Sequence, residues 1–250
     1  MKTAFVTGAS AGFGAAICRQ LIADGYRVIG GARRADKLAQ LEQELGENFI
    51  PLTLDVTDPA SLDAAVALIH DSSLPIDVLV NNAGLALGIE RAQHADAQNW
   101  ECMIATNITG LAMVTHKILP GMVAANAGLI INIGSIAGTY PYPGGNVYGA
   151  SKAFVKQFSL NLRADLAGTR VRVTNIEPGL CSGTEFSMVR LGGNHEAVAA
   201  LYKDVDAISP QDLANTVSWI AGQPDHVNIN SLEIMPVAQT YSALSVARNL

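Results

Sequence analysis

Thr3-Ala4-Phe5-Val6-Thr7-Gly8-Ala9-Ser10-Ala11-Gly12-Phe13-Gly14 opens the chain, and its reading governs everything downstream. The first five residues have the apolar, β-branched character of a buried strand, and a helix is expected from Ala11 to Gly25, where a glycine ends it. Between them, Gly8, Gly12 and Gly14 permit a tight turn, a close backbone approach to a pyrophosphate and close helix–strand packing. The helix start then offers free N–H groups and a partial positive charge to an anion. Glycine turns join strands to helices in many proteins. The signature gains weight only if this strand belongs to a parallel sheet.

Working outward, the same alternation repeats. Arg27 to Gly30 reads as a second strand, followed by a polar helix from Ala35 to Leu45. Phe49 to Leu54 and Ile76 to Val80 read as strands three and four, separated by a helix that starts at Asp58-Pro59. Two long helices, about Ala97 to Ala125 and Val147 to Leu166, flank a strand at Leu129 to Ile133. Val171 to Ile176 and Leu232 to Met235 complete the set. Near-continuously apolar strands alternating with helices predict a parallel seven-stranded sheet covered on both faces, a doubly wound α/β domain of the Rossmann kind. No linker or repeat divides residues 1–250, so a single domain is expected. Only the stretch from Gly179 to Ser209 lacks strand character. An excursion of that length is usually functional, and residues 180–209 are read as a lid over the substrate.

Composition narrows the function classes. Of 250 residues, 49% are hydrophobic and 15% charged, which argues against disorder, and the net charge of −6 gives no broad attraction for nucleic acid or anionic lipid. Neither partner is expected. An anionic substrate would need a local basic group. Cys18, Cys102 and Cys181 are odd in number and widely spaced, as in reduced cytoplasmic proteins. The five histidines form no metal-binding spacing. The amino terminus reaches its glycine turn too early for a signal peptide, and no apolar run approaches the roughly 20 residues of a membrane span.

The end of the second strand speaks to the choice of dinucleotide. Sites for NAD usually carry an acidic residue there for the ribose hydroxyls. Gly30-Gly31-Ala32-Arg33-Arg34 instead supplies small residues and then two guanidinium groups, which suit the 2′-phosphate of NADP(H). The alternative is a solvated basic turn balanced by Asp36.

Tyr148 and Lys152 stand one helical turn apart and share a face. A phenol with a pKa near 10 is a poor proton carrier at neutral pH. An ammonium about 4 Å away would lower it by roughly three units at an effective dielectric near 20. The spacing therefore predicts a depressed phenol and a proton-transfer pair.

Taken together, Thr7-Gly8-x-x-x-Gly12-x-Gly14, Asn81-Asn82-Ala83-Gly84, Asn107, Ser135, Tyr148-x-x-x-Lys152 and Pro178-Gly179 resemble the short-chain dehydrogenase/reductase family in order and spacing along nearly the whole chain. That resemblance implies a single NADP-binding catalytic domain. Ser135 would hydrogen-bond the substrate oxygen and Tyr148 would exchange its proton. Lys152 would hold the nicotinamide ribose, and Asn107 a water that continues the relay. The cofactor would meet Thr7, Gly8, Ser10, Gly12, Phe13 and Gly14 in the first turn, and Arg33 and Arg34 at its 2′-phosphate. It would meet Asp55 and Val56 at the adenine, then Asn82, Ala83 and Gly84, and finally Pro178, Gly179 and Thr184. Singly, each has a plainer reading: Ser135 as a strand-end hydroxyl, Asn107 as a satisfied helix residue, Asn81-Asn82 as a turn.

Four strings look more specifically like the NADP-dependent 3-hydroxy acid dehydrogenases, with sulfoacetaldehyde reductases, which form isethionate, as near relatives. They are Leu85-Ala86-Leu87-Gly88, Gly144 to Gly149, Phe158 to Arg163 and Gly183-Thr184-Glu185-Phe186. Thr184 lies one residue farther from Pro178 than in much of the family, and Cys181-Ser182 is unusually polar for the pocket edge. The substrate implied is a small anionic alcohol or aldehyde. Arg190, the one arginine or lysine between Arg172 and Lys203, would pair with its carboxylate or sulfonate. Tyr140, Tyr142 and Asn146 are further candidates for shaping the pocket. A carrier-bound acyl reductase and a non-catalytic NADP sensor are competing readings. Likeness to the family also implies a homotetramer, built on the two long helices, with the tail Val237 to Tyr241 at a subunit contact or the pocket.

Overall fold

A computed structural model describes residues 1–72 and 74–240 of the chain. The first half runs β1 (Thr3–Thr7), α1 (Gly12–Ala23), β2 (Arg27–Ala32), α2 (Ala35–Leu45), β3 (Phe49–Thr53), α3 (Pro59–Asp71) and β4 (Val78–Asn81). A long helical stretch follows as α4 (Ala97–Ile104), a π-helical turn over Ala105–Gly110, and α5 (Leu111–Ala125). The second half adds β5 (Gly128–Ile133), α6 (Asn146–Asp165), β6 (Val171–Pro178), α7 (Phe186–Arg190), α8 (His195–Tyr202), α9 (Pro210–Ala221) and β7 (Ser231–Ile234).

The strands form one sheet in the order β3-β2-β1-β4-β5-β6-β7, and every pairing is parallel. Alternate residues of each strand feed two separate cores. Ala4 and Val6 of β1 join Val80, Ile131 and the inner faces of α1, α2 and α9. Phe5 of the same strand points the other way, into Leu79, Ile130 and residues of α3, α5 and α6. Both faces are therefore dry, which is why β1 reads as an unbroken apolar run. Fully burying a side chain such as Phe5 contributes about 2–3 kcal/mol.

The order in which successive strands are laid down reverses between β1 and β4. Strands progress outward from there in opposite directions, so the helices that follow part and leave a crevice at the carboxyl ends. That crevice receives the glycine turn, Asn82 and Ser135.

Three expectations need correction. The 180–209 segment, expected to lack strands, holds the helices α7 and α8, and a parallel bridge between Cys181 and Ile208 closes its base. Helix α9 was not anticipated. Ser209-Pro210-Gln211-Asp212 forms a capping box in which Asp212 accepts from the Ser209 amide at 2.8 Å and donates its own amide to Ser209 Oγ at 3.2 Å. Finally, the helix from Ala97 to Ala125 is long and apolar enough to cross a membrane by length and composition, although Asn107, His116 and Lys117 interrupt any continuous apolar run. Its apolar character is used inside the protein: Met103, Leu111, Val114, Ile118 and Met122 are all buried.

Candidate active site

The glycine turn is built by stitching the ends of β1 and β4. Thr7 is buried, and its hydroxyl accepts the backbone N–H groups of Asn82 at 3.1 Å and Ala83 at 3.0 Å. The Asn82 amide returns the link, donating to the carbonyls of Thr7 at 2.9 Å and Gly8 at 3.2 Å. Helix α1 then begins hard against this turn. A Cβ at Gly14 would lie 2.2 Å from Gly8 O and 2.7 Å from the Asn82 amide, so no larger residue leaves the geometry intact.

A cavity of about 380 Å³ opens over the turn. Gly8, Ser10, Gly12, Arg33, Arg34, Asp55, Val56, Ala83 and Thr184 all line it. This bare backbone cradle, with two exposed arginines at its rim, fits the adenosine half of a 2′-phosphorylated dinucleotide. Arg34 donates to Ser10 Oγ through Nε at 3.2 Å and pairs with Glu185 at 2.9 Å. That pair was not foreseen, because its members lie far apart in sequence. Asp55 faces local partners rather than open space. Burial raises its carboxyl, but the amide and hydroxyl of Thr57 and the charge of Arg33 outweigh this and lower it.

A second cavity, about 840 Å³, shares Phe13, Asn82, Gly84, Thr184 and Phe186 with the first, so the two are contiguous. Ser135, Tyr148, Lys152, Pro178, Gly179 and Arg190 meet on its walls. Ser135, two residues beyond β5, is extended and caps a short 3-10 turn, accepting the Ala137 N–H at 3.1 Å. Tyr148 and Lys152 project from the first turns of α6. This helix packs so tightly on the 3-10 turn that a Cβ on Gly138 would come within 2.7 Å of the Lys152 backbone.

The expected electrostatics of the pair must be corrected. Lys152 Nζ donates to Ile133 O at 2.8 Å and stands 5.9 Å from the centre of the Tyr148 ring. Burial pushes the Tyr148 phenol up to about 12, although the hydrogen bond with Ser135 acts in the lowering sense. Burial likewise pushes Lys152 down to about 8. A spacing of four residues shows that two groups share a helix face. It does not reveal that both are out of water, and here desolvation exceeds the attraction between them.

Asn107 lies in the π-helical turn and is 1% exposed. Its Oδ1 accepts Leu85 N–H at 2.9 Å, and its Nδ2 donates to Leu85 O at 2.8 Å and Ser151 Oγ at 3.0 Å. The π turn thus aims a helix side chain at the backbone of a loop. Only Gly84 separates this amide from Lys152: a Cβ there would lie 3.3 Å from Asn107 Oδ1 and 3.5 Å from Lys152 Nζ.

Arg190 of α7 reaches the same cavity. Its Nη2 donates to Tyr142 Oη at 2.8 Å and its Nε to Gly88 O at 3.3 Å. The guanidinium carbon lies 5.4 Å from the Tyr142 ring centre and 5.5 Å from that of Tyr148. Tyr142 is thereby brought to the site, whereas Asn146 donates to Glu90 O at 3.1 Å and faces outward. Gln239 of the tail reaches the cavity and accepts Leu180 N–H at 2.7 Å, while Tyr241 lies outside the described residues. Among the described residues, no group of three or more His, Cys, Asp or Glu is placed to hold a metal ion.

Two supporting residues escaped sequence reading. Tyr202 donates to Cys181 O at 2.6 Å and shares a hydrogen bond with Ser187, tying α8, α7 and the exit from β6 together. Glu177 is 2% exposed and accepts from Thr139, Asn175, Lys156 and Ser231, linking β6 to β7, α6 and the turn after Ser135. A lone acid in an apolar strand was its only signal.

A model of the short chain dehydrogenase family matches residues 2–192. A probable NADP-dependent dehydrogenase of Haemophilus influenzae is 57% identical over 246 residues, 98% of each chain. The NADP-dependent 3-hydroxy acid dehydrogenase YdfG of Salmonella typhi is 54% identical over 244 residues, again 98% of each. Among solved structures, the closed form of a serine dehydrogenase complexed with NADP+ superposes with a TM-score of 0.97 at 52% identity, covering 99% of this chain and all of that one.

Proposed function

The chain belongs to the short chain dehydrogenase family, and on that premise we propose that it is an NADP(H)-dependent oxidoreductase interconverting a small 3-hydroxy acid, or serine-type hydroxy acid, with its 3-oxo acid or semialdehyde. One observation carries the substrate class. The described residues lining the larger cavity include two cations, Lys152 and Arg190, and no carboxylate. In a chain of net charge −6, that is a local welcome for an anion.

Bound NADP(H) supplies or accepts the hydride. The glycine turn would hold its pyrophosphate, Arg33 and Arg34 its 2′-phosphate, and Lys152 its nicotinamide ribose. Ser135 orients the substrate oxygen by hydrogen bonding. During oxidation, Tyr148 takes the hydroxyl proton; during reduction, it returns a proton to the carbonyl oxygen. Because burial opposes phenolate, the positive charges of Lys152 and of the oxidised nicotinamide must act together. Asn107 would hold a water that carries the proton onward from Lys152. Arg190 grips the substrate anion, and closure of the 180–209 segment excludes solvent.

Sulfoacetaldehyde reduction to isethionate is the alternative, since a guanidinium pairs with sulfonate as readily as with carboxylate. Steady-state rates with malonic semialdehyde, sulfoacetaldehyde and L-serine, each with both nicotinamide cofactors, distinguish them. Arg190→Ala is expected to raise KM for the acidic substrate far more than for a neutral aldehyde of similar size. Equal losses would reject the anion grip. The same reading includes a reducing cytoplasmic location, supported by three free thiols. It also includes a homotetramer, supported by exposed Ile104, Met113 and Val123 on one long helix and Leu160 on the other. A light-scattering mass of one chain would exclude the tetramer.

A further inference from the structure

The Tyr148 ring has a cation on each of two neighbours. Lys152 Nζ stands 5.9 Å from its centre, from the same helix, and the Arg190 guanidinium carbon stands 5.5 Å away, from α7. Arg190 is not there by chance of rotamer. Tyr142 Oη and Gly88 O each accept one of its N–H groups, and the Gly88 amide bonds back to the Arg190 carbonyl at 3.1 Å. The other groups facing the phenol bring no further cation. They are Ser135, Tyr142 and the half-buried Cys181, whose thiol burial pushes up to about 12, together with apolar Phe186, Leu85 and Leu87. No described residue lining the cavity supplies a carboxylate. Tyr142 and Cys181 act against Arg190 at the phenol, and no carboxylate among the described lining residues joins them until an anionic substrate arrives.

We propose that Arg190 serves proton transfer as well as substrate binding: it is a second cation for the Tyr148 phenolate, and the substrate's own anion cancels that help as it binds. This rests on the reading of Arg190 as the anion partner. The consequence is a change of acid–base character with occupancy. Before the acid binds, Arg190 favours the deprotonated phenol; with the acid bound, the phenol holds its proton more tightly and is the better donor to a carbonyl oxygen. The charge of the substrate thus biases the site toward reduction, and a neutral alcohol of the same size forfeits that bias. Arg190 lowers, and burial raises, the affinity of Tyr148 for its proton, in agreement with this geometry.

The test uses 1,3-propanediol as the neutral probe and 3-hydroxypropanoate as the acidic one, both with NADP+. For the diol, the acidic midpoint of the kcat/KM profile should move up by about two pH units in Arg190→Ala, the shift due to a cation about 6 Å away under an effective dielectric near 20. Arg190→Lys keeps the charge and loses the fork. It should hold the midpoint near that of the unaltered protein while KM for the acid rises. In the unaltered protein, the single-turnover midpoint should lie up to about two units higher with the acid than with the diol. Coincident midpoints in Arg190→Ala and the unaltered protein, alongside a raised KM for the acid, overturn the inference and leave the proposed function standing. An unaltered protein inactive on both probes would overturn both.

Discussion

Thr7 offers a sharp test of how the dinucleotide end is held, because packing and hydrogen bonding predict opposite orders for two substitutions. Thr7→Val keeps the shape of the side chain and removes its oxygen. The Asn82 N–H retains Val80 O at 3.0 Å, but the Ala83 N–H loses the Thr7 acceptor at 3.0 Å. Leaving that part-buried donor, which borders the cavity, without its acceptor costs about 1–2 kcal/mol, and weakening the bond at Asn82 adds less than about 1. A total near 2 kcal/mol lowers the melting temperature of a domain of this size by about 4–8 °C. Thr7→Ser keeps the oxygen and deletes one buried methyl, at a cost of about 1 kcal/mol. If packing dominated, serine would be the more damaging change and valine nearly silent. Thermal unfolding and NADPH titration by protein fluorescence should both place valine below serine. Serine equal to or worse than valine in both measurements would refute the stitching of β1 to β4 through this hydroxyl.

Tyr148→Phe should abolish turnover while NADPH binding stays within about twofold; retained turnover would remove the phenol from the proton path, and an NADPH titration checks the binding. Lys152→Met should lose activity yet gain stability. The fold holds Lys152 at about 8 against the usual 10.5, so the unfolded chain binds more protons between those values and the native protein grows more stable as pH rises through them. The variant's advantage at pH 7 is roughly 2 kcal/mol, after allowing for the Ile133 carbonyl left without its donor, and it should shrink by more than half toward pH 10; a margin independent of pH in thermal melts would contradict the buried-ammonium argument. Tyr148, raised from 10 to about 12, opposes this trend only above pH 10, where the native phenol keeps a proton that the unfolded chain has given up and stability falls as pH climbs. Arg34→Ala should weaken NADPH about 10- to 100-fold and leave NADH nearly unchanged, since one charge-assisted fork to a phosphate contributes about 1.5–3 kcal/mol; equal losses for both cofactors would place the 2′-phosphate elsewhere.

Much of this architecture was legible because the central strands are buried on both faces and so announce themselves as apolar runs, with Thr3–Thr7 the clearest case. Arg190 was legible for a different reason: it is the only fixed positive charge in a long stretch that had to lie near the substrate. What escaped were features that depend on three-dimensional closure. Arg34 and Glu185 come from opposite ends of the domain, and nothing local ties them. Helices α7 and α8 are too short to show a period. The signature before α9 was present at Ser209 and Asp212 but followed a segment whose character drew attention elsewhere. The electrostatics of Tyr148 and Lys152 failed on burial, a quantity that spacing does not contain.

The π turn at Ala105–Gly110 carries one further lesson. An uninterrupted α-helix would present a single continuous stripe from Ala97 to Ala125; the widened turn puts the second half out of phase with the first. Asn107 occupies the dislocation itself, where it can reach the Leu85 backbone. Regularity and usefulness are opposed at this point of the chain. A redesign that perfected the helix would gain ideal geometry and lose the brace beneath the loop that borders both cavities.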